Sequence, residues 1–197
     1  MNAPARTPLG TLSSPVNAWG TPTPYGVSRS SDSVVAAVSD ALRTHVDMGA
    51  LQDLAEEVVC GLSGAEAACF CHCAAAGIVV AAAASITGTS ATSAAALPSS
   101  ADGALIVLQE EHAVDYGQPL PQTLRLTGCD VHLLRGSTAE RRADLQSLAA
   151  RSRVAAIVYV ESQLVSSAAP LSRRDCRELA KDIGAMFIVD AAAQDWP

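Results

Sequence analysis

Four short apolar runs in the second half of the chain alternate with segments of helical periodicity, and this alternation constrains the fold most strongly. The runs cover residues 104–108, 130–134, 154–160 and 185–189. Largely apolar strands of this kind are typical of a parallel sheet whose two faces are both covered by helices. The sequence therefore predicts an α/β fold, a three-layer αβα arrangement around a mostly parallel sheet.

The helical segments have recognisable ends. Helices are predicted over residues 31–45, 48–62, 118–126, 138–151 and 172–183, with a loop at 90–102. Ser172 is predicted to cap the last helix, with Asp175 at the third position completing the cap. Gly64, a residue that adopts positive φ easily, is predicted to end the second helix. The first two helices each carry apolar residues at spacings that indicate one inward face.

The stretch 62–77 is predicted as a helix end, a turn, a short buried strand at 67–71, a sharp turn and a second helix running to Ser85. That second helix begins with small residues, Ala-Ala-Ala-Gly at 74–77. Small residues there let a ligand approach the free backbone N–H groups, which is how helix N-termini hold phosphate. The alternative is that the small residues only allow close packing of the helix on the sheet.

The apolar run near the end of the sequence is followed directly by Asp190. A carboxylate at the carboxyl end of a parallel strand lies at the edge where such sheets bind ligands. Neither a Gly-x-Gly-x-x-Gly motif after a strand nor a P-loop motif is present, so a dinucleotide or P-loop site has little support.

Composition limits the classes of function. The 197 residues carry a net charge of −7, which argues against nucleic acid and anionic membranes as partners. No membrane span or secretory signal is recognisable, so a cytoplasmic location is expected. Residues 1–13 are predicted to form a disordered arm, and residues 14–197 the folded domain.

The six cysteines lie mostly in apolar runs, which indicates free, buried thiols in a reducing compartment. The cluster Cys69, Cys71, His72 and Cys73 raises the question of a metal. Alternate residues of a strand lie about 6.6 Å apart, and zinc ligands in sequence normally follow a C-x2-C spacing or longer. No metal site is therefore predicted, although a metal or thiol protein built on this run is kept as an alternative.

Several segments together resemble a family of enzymes. They are residues 16–21 (VNAWGT), the helix 28–45, residues 46–52 (VDMGALQ), 62–68 (LSGAEAA), 74–77 (AAAG) and 189–194 (VDAAAQ). Their order and spacing resemble a branch of the fold-type-I pyridoxal phosphate (PLP) enzymes. That branch contains bacterial selenocysteine synthase (L-seryl-tRNA(Sec) selenium transferase) and the D-glucosaminate-6-phosphate ammonia-lyases. The resemblance covers about residues 15–197 and implies the N-terminal part of a PLP-dependent transferase large domain.

The resemblance implies roles for particular residues. Asp190 is implied as the partner of the pyridine nitrogen of pyridoxal 5'-phosphate, and His112 as the residue stacked on its ring. The residues implied to hold the phosphate, through backbone N–H groups, are His72, Cys73, Ala74 and Ala75. Gln194 and Ser162 are implied to line the same pocket. The alternatives are an exposed loop histidine at 112 and a helix-cap or turn aspartate at 190.

The family's Schiff-base lysine follows the aspartate strand, whereas the single lysine here, Lys181, precedes it and is predicted to lie on a solvated helix face. The resemblance therefore implies the cofactor-cradling subunit of a split enzyme, inactive alone. A second polypeptide would carry the lysine and C-terminal domain, in a heterodimer or a dimer of heterodimers. The implied reaction on an amino-acid-like small molecule is β-elimination or β-replacement, or aminotransfer. A truncated chain and a non-catalytic scaffold for a PLP-enzyme paralogue are the alternatives.

Overall fold

In the computed structural model, the described residues are 12, 16–18, 29–99, 103–165 and 167–194. The predicted arm at 1–13 lies outside these residues except for Leu12, and residues 19–21 of the first family-like segment also lie outside them. The chain divides into two compact units, Met1–Ala68 and Cys69–Pro197. No helix among the described residues is long and apolar enough to cross a membrane.

The first unit contains two helices, α1 (Asp32–Ala41) and α2 (Met48–Ser63). Ser31 caps α1 by accepting a hydrogen bond from the Val34 N–H, but the predicted extension to His45 is wrong. Gly64 ends α2 in the left-handed conformation, with φ 72°, as predicted. Neither helix contains a buried residue, so the apolar faces predicted to point inward are exposed within this unit.

The second unit is built on a four-stranded, entirely parallel sheet with the strand order β2-β1-β3-β4. The strands are β1 (Leu105–Gln109), β2 (Asp130–Leu134), β3 (Val154–Val160) and β4 (Met186–Asp190). The predicted bounds of β2 and β3 are confirmed residue for residue, and those of β1 and β4 differ by one residue.

Helices cover both faces of this sheet. They are α3 (Ala74–Thr87), α4 (Ala91–Ala95), α5 (Leu120–Arg125), α6 (Thr138–Arg151) and α7 (Arg173–Asp182). Side chains of α3 and α5 form one core cluster with Ile106 and Leu108 of β1. Side chains of α6 and α7 form the other core cluster with Val107 of the same strand. The predicted three-layer αβα arrangement is confirmed. The predicted loop at 90–102 is wrong in part, because residues 91–95 form the helix α4.

Residues 67–71 do not form the predicted buried strand. They belong to no helix or strand, and Phe70 is 45% exposed. A single short run gains strand structure only by pairing with a neighbour, and none of the described strands pairs with residues 67–71. Three cysteines of this region, Cys69, Cys71 and Cys73, are consequently exposed. Of the six free thiols, only Cys129 and Cys176 are buried as predicted.

Candidate functional site

The carboxyl ends of β1 and β3 form the topological switch point of the sheet. From β1 the chain passes through α5 to β2 on one side, and α6 then returns it past β1 to β3 on the other. Ligands of open α/β sheets bind in the crevice that such a reversal creates. His112 follows β1, Ser162 follows β3 and Asp190 ends β4, so three residues identified from the sequence lie along this edge.

Asp190 is a buried carboxylate at this edge, with 5% of its surface exposed. Its Oδ2 accepts a hydrogen bond from the Tyr116 hydroxyl at 2.7 Å, and its Oδ1 accepts one from the Ala192 N–H at 3.2 Å. Because strand side chains alternate, Asp190 points to the same face as Ile188, which packs in the core cluster of α3 and α5. A carboxylate offers about four lone-pair sites, so acceptor capacity remains for another donor.

Tyr116 is a site residue that sequence reasoning missed. Its side chain is half-buried, and its pKa is raised above the ordinary value, first by burial and then by the hydrogen bond to Asp190 and the charge of that carboxylate. The Ser162 side chain has a smaller, opposing effect. The phenol therefore stays protonated near neutral pH and remains a donor. No sequence pattern indicated this contact, because 74 positions separate the two residues.

His112 is fully buried, with 1% exposure, rather than an exposed loop residue. Its ring meets the Tyr159 ring edge-on, with centroids 4.2 Å apart. The Val160 N–H donates to Nδ1 over 3.5 Å. Burial is the main cause that lowers the pKa of His112, with the Arg141 charge adding to it and Glu111 opposing. No face of the ring is open, so stacking on a ligand stays a prediction that requires movement of this turn.

A buried polar network holds the turn that carries His112. Arg141 of α6 is 3% exposed and makes a bidentate ion pair with Glu111, at 2.6 and 2.7 Å. Its Nη1 also donates to the Gln109 Oε1 at 3.2 Å. The Gln109 amide in turn exchanges two 2.8 Å hydrogen bonds with the backbone of Leu171. The network ties the end of β1 to α6 and to the segment before α7, and no local sequence pattern marks it.

The N-terminus of α3 points toward the same edge of the sheet. The Arg153 guanidinium, just before β3, donates to the carbonyls of Ser85 and Ile86, which fixes the C-terminal end of α3 at the amino edge. A helix of 14 residues is about 21 Å long, so its first turn lies toward the carboxyl edge.

The residues predicted to hold phosphate form the start of this helix. His72, Cys73, Ala74 and Ala75 are all exposed. Cys73 is the N-cap in an extended conformation and makes no side-chain capping bond. The first N–H groups of a helix lack partners within it, and the methyl side chains that follow Cys73 leave them accessible to an anion.

The remaining predicted residues lie in the loops after β3 and β4. The Gln194 side-chain amide donates to the Glu161 carbonyl at 3.2 Å, which joins the two loops. The Ser162 hydroxyl accepts from the Leu164 N–H at 3.2 Å. Among the residues that the structure describes, no three His, Cys, Asp or Glu side chains are grouped to hold a metal ion. A cavity of about 200 Å³ lies at the opposite, amino edge, beside Val154 and Met186, and so does not belong to this site.

Comparison with known proteins gives relatives that are longer than this chain. No protein-family model matches it. The chain is 34% identical over 181 residues to the D-glucosaminate-6-phosphate ammonia lyase of Salmonella typhimurium (strain 14028s / SGSC 2262), covering 91% of this chain and 49% of the relative. It is 35% identical over 184 residues to a 5'-C-glycyluridine monooxygenase-decarboxylase of Streptomyces sp, covering 91% of this chain and 45% of that enzyme.

A solved structure of D-glucosaminate-6-phosphate ammonia-lyase matches with a TM-score of 0.81 and 30% identity, over 89% of this chain and 48% of that one. The relatives are enzymes of two different activities. This chain spans about half the length of the curated relatives it matches. By sequence and by fold, the chain is homologous to D-glucosaminate-6-phosphate ammonia-lyase.

Proposed function

We propose that this chain is the cofactor-cradling subunit of a PLP-dependent enzyme that acts on an amino-acid-like substrate. The observation that carries the proposal is the buried carboxylate of Asp190 at the carboxyl edge of the sheet. It faces the layer that contains α3, whose open N-terminus lies toward the same edge. A carboxylate suits a protonated pyridine nitrogen and a helix N-terminus suits a phosphate, so one edge offers partners for both ends of PLP.

The residues present fit that group. Asp190 keeps lone pairs free after accepting from Tyr116 and Ala192, and those two bonds orient the carboxylate before any ligand binds. The backbone N–H groups that follow Cys73 would bind the phosphate, without help from a side-chain cap. When bound, PLP supplies an electron sink that stabilises negative charge at the α-carbon of the substrate. Asp190 favours that role by keeping the ring nitrogen protonated.

A PLP enzyme needs a lysine to attach the cofactor, and the single lysine of this sequence, Lys181, is not placed to do so. Lys181 is exposed on α7, next to Ile183 and Gly184, which line the cavity at the amino edge. The five residues of β4 span about 17 Å between that edge and Asp190, beyond the reach of a lysine side chain. We therefore propose that a second polypeptide supplies the lysine and the C-terminal domain, in a heterodimer or a dimer of heterodimers.

The proposed reaction class is β-elimination or β-replacement, with aminotransfer as the other possibility. An ammonia-lyase among the relatives supports elimination. The names of both relatives, glucosaminate and glycyluridine, describe substrates that contain an amino-acid-like group. In such a reaction Asp190 and the N-terminus of α3 would hold the cofactor in position, and a lysine of the proposed partner would move the α-proton.

The test is co-purification of the tagged chain from its native host, followed by a visible absorbance spectrum with PLP. We expect a lysine-bearing partner and a yellow complex that neither polypeptide forms alone. Asp190→Asn should abolish activity of the complex. Asp182→Asn, a change of the same chemistry at an exposed position at the end of α7, should leave activity intact. A colourless complex whose activity survives Asp190→Asn would support the alternative, a non-catalytic scaffold.

A further inference from the structure

Three free thiols stand together just before α3. Cys69, Cys71 and Cys73 are all exposed, and each is separated from the next by one residue. The pKa of Cys71 is raised above its ordinary value, first by burial and then by the neighbouring Cys69 thiol, with Cys73 adding a smaller effect. Of the other three thiols, Cys60 is half-buried in α2, and Cys129 and Cys176 are buried in the core.

We propose that Cys69 and Cys71 form a redox-active dithiol that closes reversibly into a disulfide within the chain. Disulfides join Cα atoms about 4.4–6.8 Å apart, and alternate residues of an extended chain are about 6.6 Å apart. Residues 69–71 belong to no helix or strand, so the backbone can shorten this span without breaking a ladder of hydrogen bonds. Cys73 is the poorer partner because its backbone is already committed to capping α3.

The reaction balances with a low-molecular-weight disulfide as the oxidant. The Cys69 thiolate attacks one sulfur of that disulfide, forms a mixed disulfide and releases one thiol. The Cys71 sulfur then loses its proton to solvent, attacks the Cys69 sulfur and displaces the second thiol. Two protein thiols are oxidised to one disulfide, and one oxidant disulfide is reduced to two thiols. An external dithiol reverses both steps.

Closure of this ring would act on the start of α3. The disulfide includes Cys71, which is two residues before the N-cap Cys73, so it constrains the backbone that leads into the helix. This part rests on the proposed function, in which that turn holds the phosphate of PLP. Loss of one charge-assisted hydrogen bond to the phosphate would weaken PLP binding about tenfold.

The dithiol is tested by equilibrating the full-length chain in glutathione buffers from reducing to oxidising, quenching with acid and alkylating with N-ethylmaleimide. Peptide mapping by mass spectrometry should show a Cys69–Cys71 disulfide that Cys71→Ser abolishes and Cys73→Ser leaves in place. Cys129 and Cys176 serve as internal controls, because they are buried in the core and closed to a dissolved oxidant, whereas Cys69 and Cys71 are exposed. Alkylation of both Cys69 and Cys71 in every buffer, or a Cys71–Cys73 disulfide instead, would overturn the proposal.

The effect of the disulfide on the proposed phosphate-binding turn before α3 is measured separately, as the PLP affinity of the complex with its partner. Oxidised wild-type complex should bind PLP about tenfold more weakly than reduced complex, and the Cys71→Ser complex should not respond to the oxidant. Equal affinities of the oxidised and reduced forms would overturn the regulatory role. Absence of PLP binding in both forms would refute the proposed function instead, while the mapped disulfide would still stand.

Discussion

Replacing Arg141 with methionine tests whether the buried network holds the candidate site together. The change keeps a long, unbranched side chain with good helix propensity in α6, but it removes the charge that neutralises Glu111. Arg141 and Glu111 have side-chain exposures of 3% and 18%, so water cannot readily replace the lost partner. The same change deprives the Gln109 amide and the Gly136 carbonyl of a donor.

The neighbouring residue provides a matched control. Arg142 lies on the same helix and pairs with Asp175, but their side chains are 39% and 33% exposed. Breaking a buried ion pair by removing one partner costs about 3–5 kcal/mol, whereas an exposed pair contributes about 0–1 kcal/mol. At about 2–4 °C per kcal/mol, Arg141→Met should lower the melting temperature by roughly 6–20 °C. Arg142→Met should lower it by no more than about 4 °C.

The assay is thermal and urea unfolding of both variants at neutral pH, followed by circular dichroism. The double variant with Glu111→Leu and Arg141→Met should recover most of the lost free energy of unfolding, because it leaves no unpaired charge. Equal stabilities of the two single variants, Arg141→Met and Arg142→Met, would refute the reasoning, since burial would then make no difference to the ion pair.

The pH dependence of stability provides an independent check on the same pair. Hydrogen bonding from Arg141 is the main cause that holds the pKa of Glu111 below its ordinary value of 4.5. A carboxylate with a lowered pKa in the folded state stabilises the protein fully above the unfolded pKa and loses that contribution as the pH falls through the folded pKa. The difference in stability between wild type and Arg141→Met should therefore narrow below about pH 4.5. A difference that stays constant down to acid unfolding would contradict the assignment.

Two further substitutions probe single hydrogen bonds by urea unfolding. Tyr116→Phe removes the donor to the Asp190 carboxylate and should cost about 1.5 kcal/mol, at the low end for charged acceptors because Tyr116 is half-exposed. Tyr159→Phe is the matched control. It should cost less, because the Tyr159 hydroxyl makes no hydrogen bond within the described part of the chain. Ser172→Ala removes the capping box of α7 and should cost about 1 kcal/mol. Ser147→Ala, at an exposed position inside α6, should be neutral or slightly stabilising.

The elements that the sequence predicted best are those with local signals at both ends. The bounds of β2, β3 and α6 match residue for residue, because apolar runs and capping residues mark their limits. The strand at 67–71 failed for the opposite reason. A strand depends on a neighbour to pair with, and nothing in the local sequence reports whether a neighbour is present. The exposure of Cys69, Cys71 and Phe70 follows from that missing partner.

The candidate site shows the same division between local and distant information. Asp190 could be located from the sequence, because a carboxylate directly after an apolar strand falls at the ligand-binding edge of a parallel sheet. Its partner Tyr116 could not, since their contact depends on how the turn after β1 folds against β4. The Arg141–Glu111 pair is equally non-local, joining residues that are 30 positions apart.

The protonation state of the His112 ring limits the role that this residue can have in the site. The Val160 N–H points at Nδ1, so the proton of the neutral ring belongs on Nε2. Protonating Nδ1 would place two N–H groups against each other in a buried position, and burial alone already lowers the pKa of this ring. His112 is therefore neutral at physiological pH and cannot supply a positive charge to a bound anion. Its available contribution is shape: a rigid, uncharged ring held edge-on against Tyr159, between the carboxyl ends of β1 and β3.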